Sequence, residues 1–397
     1  MSSPTKIPII DLRAQYAEIR DEVRSAIDEA VESQQFILGP AVTRFEAQMA
    51  AYLHCAHTVG VASGTDALLL ALMALHIGPG DAVITTPFTF FSTVSSITRL
   101  GATPLFVDID LSDYLLSANA VEQFLAERSV ISDGMTTDSK TGLRVKALLP
   151  VHLFGQCAAM NEFVNLARKF ELRIVEDVAQ ACGARLKVDR EVKFAGTSGD
   201  IGCFSFFPSK NLGSFGDAGL VSTDSKGLAT QLGMLRTHGE SSKYYHDLTG
   251  INSRLDSIQA AVLSIKLKYL ETWCKKRIER ASVYHRLFTA SRLIGNGIVA
   301  IPPPSTDKSH VFNNYVIRTE RRDSLKQFLT EHGIQSEIYY PVPLHLQKCF
   351  ADLRYQPGDF PQAELAASQV LALPLYPELT SDQQAMIVDK IQLFLRR

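Results

Sequence analysis

Lys210 is the residue whose type and surroundings first suggest chemistry. It follows an apolar run that reaches Ser205 and precedes a loop rich in glycine. A lysine at the end of a strand is most often a solvated surface charge, but two neighbouring features indicate a ligand site. Ser205 can donate a hydrogen bond to an anion, and glycines suit a tight turn in which the backbone closely approaches a ligand. The glycines of this loop are Gly213, Gly216 and Gly219.

Asp177 is the second candidate, at the end of a predicted strand within Ile174–Gln180. In open parallel sheets, ligands bind outside the carboxyl ends of the strands. An aspartate at this point could hold a metal ion, cap a helix, or pair with a protonated heteroaromatic nitrogen. The segment alone leaves these three roles open.

The third candidate is the run Ser63-Gly64-Thr65, where a predicted strand meets the following helix. Free backbone N–H groups at a helix N-terminus, with small hydroxyl side chains beside them, can bind a phosphate. Neither GxxxxGK[ST] nor GxGxxG occurs in this turn, so it does not resemble the usual nucleotide-binding loops. A small cap of this kind is common, and by itself it is a weak signal.

Together the three segments fit one cofactor, pyridoxal 5′-phosphate. It requires a lysine for its aldehyde, an acidic partner for its ring nitrogen, an anion site for its phosphate and an aromatic ring to stack on. Phe90 can supply that ring, although it could equally be a core residue. The sequence therefore predicts an enzyme that binds this cofactor as a Schiff base on Lys210.

Strands and helices alternate along the part of the chain that carries these residues. Such alternation predicts an α/β fold with a largely parallel sheet covered on both faces, made mixed by the loop that joins the last two strands. Helical patterns fall between several strands, at Asp66–Leu75, Ser92–Leu100 and Met160–Phe170. The candidate strands are Thr58–Ala62, Ala82–Thr86, Pro104–Asp108, Val145–Val151, Arg173–Glu176, Gly202–Phe206 and Gly219–Thr223.

The remainder of the chain suggests a surface insertion and a second domain. The polar, turn-rich stretch Ser129–Leu143 interrupts the alternation and predicts a surface hairpin without assignable chemistry. A long helix is expected over Ser257–Arg292, followed by a smaller domain with its own strands and helices. The expected division is a large domain at 1–256, and the long helix with a C-terminal domain at 257–397.

Composition excludes several other classes of protein. The chain has 397 residues, 46% of them hydrophobic and 21% charged, with a formal net charge of −2. These values fit a globular protein and give no reason to expect nucleic-acid binding. No apolar run is long enough for a membrane span, and no secretory signal is apparent. Six scattered cysteines without a CxxC pair predict free thiols in a cytoplasmic protein, with no metal site.

Motifs along nearly the whole chain resemble those of one enzyme family. The sequence is similar to the DegT–DnrJ–StrS nucleotide-sugar aminotransferases from about Ile9 to Leu375. The matching segments include Phe36-Ile-Leu-Gly-Pro, Ser63-Gly-Thr-Asp-Ala, Gly78-Pro-Gly-Asp-Ala-Val-Ile, Pro150-Val-His-Leu-Phe-Gly-Gln, Glu176-Asp-Val-Ala-Gln, Phe204-Ser-Phe-Phe-Pro-Ser-Lys-Asn-Leu-Gly, Gly250-Ile-Asn-Ser-Arg-Leu-Asp-Ser-Ile-Gln-Ala-Ala and Tyr340-Pro-Val-Pro-Leu-His.

The resemblance implies a fold and the residues that bind the cofactor. The expected architecture is fold type I of pyridoxal-phosphate enzymes, like aspartate aminotransferase. It has a mostly parallel, mixed seven-stranded sheet in the large domain and a smaller C-terminal α+β domain. Lys210 would bind the cofactor covalently and shuttle a proton, Asp177 would pair with the pyridine nitrogen, and Gln180 would bind near the ring hydroxyl. The phosphate would be held by Gly64, Thr65 and Ser205.

Other positions imply a site shared between two subunits. Asn252 would reach the phosphate of a neighbouring subunit's cofactor, so the resemblance implies a homodimer with shared active sites. Arg254, Tyr339, Tyr340 and His345 match positions that line the sugar-nucleotide site in this family. Many relatives have His-Tyr where this chain has Tyr339-Tyr340, so the resemblance leaves the fine choice of substrate open.

The implied reaction is transfer of an amino group from L-glutamate to a nucleotide-linked ketosugar. The segment Lys243–Arg254 is most similar to enzymes that aminate a C3 ketone, either on dTDP-3-keto-6-deoxyhexoses or on UDP-3-keto-hexuronates. Arg254 could pair with a uronate carboxylate, but it occurs in both groups. Two alternatives on the same fold are a sugar dehydratase, which has histidine in place of Lys210, and a non-catalytic regulator, which would lack Lys210 or Asp177.

Overall fold

A computed structural model of the chain describes residues 6–294, 297–306 and 309–396. The helices are α1 Leu12–Glu32, α2 Pro40–Leu53, α3 Gly64–Ala74, α4 Phe91–Arg99, α5 Ala118–Arg128, α6 Met160–Lys169, α7 Lys226–Leu235, α8 Ser257–Leu267, α9 Leu270–Ser291, α10 Arg322–Glu331, α11 Pro361–Gln369 and α12 Ser381–Leu395. The strands are β1 His57–Val61, β2 Asp81–Thr85, β3 Thr103–Phe106, β4 Ser129–Ser132, β5 Met135–Asp138, β6 Arg144–Leu148, β7 Arg173–Asp177, β8 Arg185–Val188, β9 Glu191–Phe194, β10 Ile201–Ser205, β11 Gly219–Thr223, β12 Glu240–Ser242, β13 Tyr245–His246, β14 Tyr315–Arg318 and β15 Val370–Leu373.

The main sheet has the mostly parallel, mixed character that the sequence predicted. Seven strands lie in the order β1-β11-β10-β7-β6-β2-β3. The pairs from β10 to β3 are all parallel, whereas β11 is antiparallel to both of its neighbours. The other six strands therefore end at the same edge of the sheet, and β11 begins there. This edge is where an open α/β sheet presents its ligand site.

Helices cover the sheet because its strands are apolar on both faces. All five residues of β2 and of β11 are buried. Helix α3 packs against β10, α4 and α7, and seven of its eleven residues are buried. A helix enclosed in this way is held in place by tertiary packing, so its N-terminus has a fixed position beside the sheet.

The polar insertion is a hairpin, as predicted. Strands β4 and β5 pair antiparallel around a turn at Asp133 and Gly134. Strand β5 also pairs with β6 through Val145 and Arg144, at the start of that strand. The hairpin therefore extends the amino edge of the sheet, opposite the edge where the parallel strands end.

The prediction of one long helix over Ser257–Arg292 is wrong in one respect, because the segment forms two helices. Helix α8 ends at Leu267 and α9 begins at Leu270. At the break, the N–H groups of Lys268 and Tyr269 donate to carbonyls only three residues earlier, which tightens the last turn. Helix α8 packs against α1 and α2, whereas α9 packs against α12. Two different packing partners thus explain the interruption.

A separate apolar core occupies the C-terminal part of the chain. It is formed by α9, α10 and α12 with the antiparallel pair β14–β15, and the N-terminal residue Ile7 joins it. Helix α8 packs on α1 and α2, which belong to the N-terminal part of the chain. The predicted domain boundary between residues 256 and 257 stays a prediction. None of the described helices is long and apolar enough to cross a membrane.

Glu176 connects β7 to the loop before β10. Its side chain is fully buried and accepts hydrogen bonds from His152 Nε2 at 2.9 Å and from the N–H groups of Gly196, Ser198 and Gly199 at 2.7–2.9 Å. Burial alone would raise the pKa of Glu176, but these donors hold it below its ordinary value. Because successive strand residues face opposite sides, this contact leaves the next residue, Asp177, facing the other way.

We expect Glu176→Gln to destabilise the protein by about 2–4 kcal/mol, because the new NH2 group would face N–H donors in a buried site. Since the pKa of Glu176 is depressed in the folded state, its contribution is present above pH ~4.3 and is lost as the pH falls through the folded-state value. Urea unfolding at pH 7, and at a series of pH values below about 4, measures both effects. The control is Asp189→Asn, which removes an exposed carboxylate and should change stability by less than about 0.5 kcal/mol. Equal stability of the two variants would contradict this role.

Candidate active site

A cavity of about 530 Å³ opens at the carboxyl edge of the main sheet. Strands β7 and β10 deliver residues to it, as do the loops after β1 and β2. Nine of the twelve site residues predicted from the sequence line this cavity: Gly64, Thr65, Phe90, Asp177, Gln180, Ser205, Lys210, Tyr339 and Tyr340.

Asp177 is the buried acid of this cavity. Its Oδ2 accepts a hydrogen bond from Thr93 Oγ1 at 2.8 Å, and Oδ1 accepts one from the N–H of Ala179 at 3.1 Å. Burial raises the pKa of the carboxyl group, while these two donors and the charge of Lys210 oppose the rise. A cation placed against this carboxylate would remove the cost of burying its charge.

Lys210 lies in the turn after β10, where its backbone N–H donates to the carbonyl of Phe207 at 2.9 Å. Burial lowers the pKa of its amine to about 8, against the opposing effect of Asp177. Near neutral pH a usable fraction of this lysine is therefore uncharged, which is the form required for a nucleophile or a general base.

The N-terminus of α3 forms a compact anion site. Ser63 caps the helix by accepting from the N–H of Asp66 at 3.1 Å, so the preceding amides, those of Gly64 and Thr65, are the first of the helix and have no intrahelical acceptor. A Cβ atom on Gly64 would lie 2.5 Å from Ser205 Cβ. Only glycine lets the helix start so close to the Ser205 hydroxyl, and the pair fits a phosphate.

Two of the glycines after Lys210 lie where the backbone is closely packed. A Cβ atom on Gly213 would lie 2.3 Å from the carbonyl oxygen of Pro208, so Gly213 serves a tight turn around Lys210, as predicted. A Cβ atom on Gly219 would lie 2.3 Å from the carbonyl oxygen of Ser63, so this glycine lets the start of β11 approach the helix cap at Ser63. The predicted approach of this loop to a ligand stays a prediction.

Two aromatic rings and an amide complete the cavity wall. Phe90 is 56% exposed although it is apolar, and its ring centre lies 6.0 Å from that of Tyr340. Gln180 donates from Nε2 to Tyr340 Oη at 3.1 Å, and its Oε1 accepts from the N–H of Phe154 at 2.6 Å. The exposed face of Phe90 fits a planar ring stacked on it.

Three predicted site residues do not line the cavity of their own chain. Asn252 is exposed and forms an isolated β-bridge with Thr237, and Arg254 is half-buried. His345 is buried, with Nε2 at 3.1 Å from Glu364 Oε1, and burial lowers its pKa. The roles proposed for these three residues stay predictions.

A set of hydroxyl groups on and beside α4 was not predicted from the sequence. Thr93 bonds to Asp177, Thr89 Oγ1 lies 3.0 Å from Thr93 Oγ1, and Ser92 Oγ lies 2.8 Å from Thr65 Oγ1. The spacing was a usable signal, because the hydroxyl residues Ser92, Thr93 and Ser96 lie three and four residues apart within α4. Two amides that line the cavity, Asn313 and Asn314, were also missed.

Nearly the whole chain is similar in sequence to known aminotransferases. Residues 17–392 match the DegT/DnrJ/EryC1/StrS aminotransferase family. A UDP-N-acetyl-3-dehydro-alpha-D-glucosamine 3-aminotransferase of Acidithiobacillus ferrooxidans is 41% identical, over 99% of each chain. A dTDP-3-amino-3,4,6-trideoxy-alpha-D-glucose transaminase of Streptomyces venezuelae is 40% identical, over 99% of this chain and 97% of the other.

Solved structures give the same result for the fold. DesV of S. venezuelae, in complex with a ketimine intermediate, superposes with a TM-score of 0.88 at 39% identity over the full length of both chains. NtdA of Bacillus subtilis, with bound cofactor PMP, has a TM-score of 0.86 at 28% identity and covers 100% of this chain and 86% of its own. By sequence and by fold, the chain belongs to the DegT/DnrJ/EryC1/StrS aminotransferase family.

Proposed function

We propose that this aminotransferase moves an amino group from L-glutamate to the C3 ketone of a nucleotide-linked sugar, in amino-sugar biosynthesis. The observation that carries the proposal is the placement of Lys210 and Asp177 in one cavity beside the N-terminus of α3. A lysine of lowered pKa, a buried acid and an anion site form the set of groups that pyridoxal phosphate requires.

The residues present fit that cofactor at each of its functional groups. In the part of the chain that the structure describes, the hydrogen bonds to the Asp177 carboxylate come from Thr93 and Ala179, so a cationic ring nitrogen would supply the missing countercharge. Gly64 keeps the first turn of α3 open to a phosphate. Phe90 offers the stacking face.

The chain's own groups then have distinct tasks in the reaction. When bound, pyridoxal phosphate supplies the carbon that carries the amino group and a conjugated ring that takes up an electron pair. Lys210 would bind that carbon, and once displaced it would move a proton between it and the substrate carbon, which its lowered pKa allows. The hydrogen bond from Thr93 favours the ionised form of Asp177 against the effect of burial, which raises its pKa, and Gln180 orients Tyr340 at the cavity wall.

Amination at C3 is supported by the names of several relatives. Besides the two described above, a UDP-2-acetamido-2-deoxy-3-oxo-D-glucuronate aminotransferase of Pseudomonas aeruginosa is 35% identical over 94% of this chain and 96% of its own. Two of these three are named for UDP-sugars and one for a dTDP-sugar, the three sugars differ, and all three names place the amino group or the ketone it replaces at C3. The proposal therefore names the carbon and leaves the sugar open. The candidate substrate types are dTDP-3-keto-6-deoxyhexoses, UDP-3-keto-hexuronates with Arg254 as a carboxylate partner, and the UDP-3-keto-N-acetylhexosamine named for the A. ferrooxidans relative.

We further propose that two copies of the chain share their active sites. Asn252 and Arg254 lie outside the cavity of their own chain, and Asn252 is exposed. Both would contribute to the site of a partner in a symmetric dimer, where the same surface patch meets its copy.

Lys210→Ala should abolish amino transfer, by about 10³-fold or more, because the proton acceptor is removed. Wild-type protein should be yellow and should lose its cofactor absorbance when L-glutamate is added, faster as the pH rises towards 8, where the amine becomes neutral. Stopped-flow absorbance measures this step, and Lys169→Ala, at an exposed lysine, is the control. Absorbance that persists with every amino donor tried would overturn the transaminase proposal. Re-oxidation of the reacted enzyme by 3-keto and 4-keto nucleotide sugars identifies the acceptor.

Thr93→Val should weaken cofactor binding about 5- to 20-fold, because it removes one hydrogen bond to a buried carboxylate. The same loss raises the pKa of Asp177 further, so affinity in the variant should begin to fall at a higher pH than in wild type. Fluorescence titration of the cofactor-free protein with pyridoxal phosphate at several pH values measures both. Thr98→Val, on the same helix but outside the cavity, should bind like wild type; an unchanged pH profile for Thr93→Val would exclude the role.

Mixing two inactive variants should restore activity if the sites are shared. Lys210→Ala and Asn252→Ala homodimers would each be inactive, whereas a mixed dimer has one site in which both residues are intact. After unfolding and refolding an equal mixture, roughly a quarter of wild-type activity is expected, since half of the dimers are mixed and each has one working site. Failure to regain activity although mixed dimers are detected by mass spectrometry would mean that Asn252 acts within its own subunit or not at all.

A further inference from the structure

The cavity contains few cationic groups, and this constrains how the amino donor binds. Among the described residues that line it, Lys210 is the single Lys or Arg, and no His lines it. The proposed function commits that lysine to the cofactor. L-Glutamate carries two carboxylates, and a carboxylate that loses water on binding needs hydrogen-bond donors in return. Within the described part of one chain, the donors left to bind a carboxylate of the amino donor are therefore neutral.

Asn313 and Asn314 supply a pair of amides with the required polarity. Asn313 Nδ2 donates to Asn314 Oδ1 at 2.6 Å, and both residues line the cavity. The amide oxygen of Asn314 is thus occupied inside the protein. Its Nδ2 group has no protein acceptor in the described part of the chain, so the end available to a ligand carries two N–H donors and suits an anion.

Hydrogen bonds to neighbouring segments fix the backbone around Asn313 and Asn314. The N–H of Asn314 donates to the carbonyl of Phe154 at 3.2 Å, and the N–H of Phe154 donates to Gln180 Oε1 at 2.6 Å. Arg277 in α9 is buried, and its Nη1 donates to the carbonyls of Phe312 at 3.1 Å and of Leu375 at 2.9 Å. Donors fixed in this way lose little entropy when they bind a ligand.

We propose that Asn314, oriented by Asn313, binds a carboxylate of the amino donor through its Nδ2 group. This inference rests on the proposed function and names the donor subsite of that reaction. Asn314 is then a binding residue for the first half of the reaction, in which the donor gives up its amino group. It has no task in the second half, in which the ketosugar receives that group.

The two half-reactions can be measured apart, which tests the assignment directly. In Asn314→Leu, the KM for L-glutamate in the donor half-reaction should rise about 10- to 100-fold, the effect of losing hydrogen bonds to a charged group. Asn314→Asp should raise it further, because it places a like charge against the donor. The rate at which a 3-ketosugar nucleotide re-oxidises the aminated enzyme should stay within about twofold of wild type, since no donor carboxylate is present at that stage.

Binding without reaction provides a second readout. Glutarate has the two carboxylates of glutamate and no amino group, and its dissociation constant for the holoenzyme, from calorimetry, should rise in Asn314→Leu by the same factor. Asn165→Asp changes an exposed amide in α6 and should leave all these values unchanged. Melting curves of the variants check that each is folded.

Each result supports or overturns the subsite. Unchanged KM for glutamate and unchanged glutarate affinity in Asn314→Leu overturn it, and a loss confined to the ketosugar half-reaction would assign the amides to the sugar instead. If Arg254→Ala loses glutarate binding and Asn314→Leu keeps it, the donor is bound from the partner subunit and the assignment is wrong. If wild type accepts an amino group from no donor, the proposed function fails, and the glutarate measurement still tests Asn314.

Discussion

A buried carboxylate must be matched by hydrogen-bond donors or by a cation. Strand β7 ends in two buried carboxylates, Glu176 and Asp177, whose surroundings differ. Glu176 is satisfied within the protein, by a histidine and three backbone amides, and so connects the sheet to the loop before β10. Asp177 faces the other side and receives two donors. Glu176 therefore stabilises the fold, whereas Asp177 lines the cavity with only two donors to its carboxylate from the residues that the structure describes.

The sequence predicted the sheet well because its strands are short, apolar and separated by clear helical patterns. All seven strands of the main sheet were identified to within three residues at either end, and the hairpin after α5 lies within the stretch predicted for it. Lys210, Asp177 and the turn at Ser63 could be found because a cofactor requires those residue types at strand ends. Gly213 was correctly linked to a tight turn.

Side-chain partners at long range were beyond the reach of such reasoning. Nothing local to Thr93 says that it bonds to Asp177, because the contact joins residues 84 positions apart. Asn313 and Asn314 precede a buried strand and read as ordinary polar residues until the cavity is seen. The break between α8 and α9 depends on which helices pack against each of them. An amphipathic pattern in the sequence does not identify those packing partners.

The hairpin β4–β5 has a practical consequence for anyone who labels this enzyme. It grows from the start of β6, whereas the cavity opens where the strands end. Its turn at Asp133 and Gly134 is exposed, and Arg128 and Asp138 hold its base with paired hydrogen bonds of 2.8 Å. A fluorophore or an affinity handle introduced at that turn would lie at the edge of the sheet opposite the cavity.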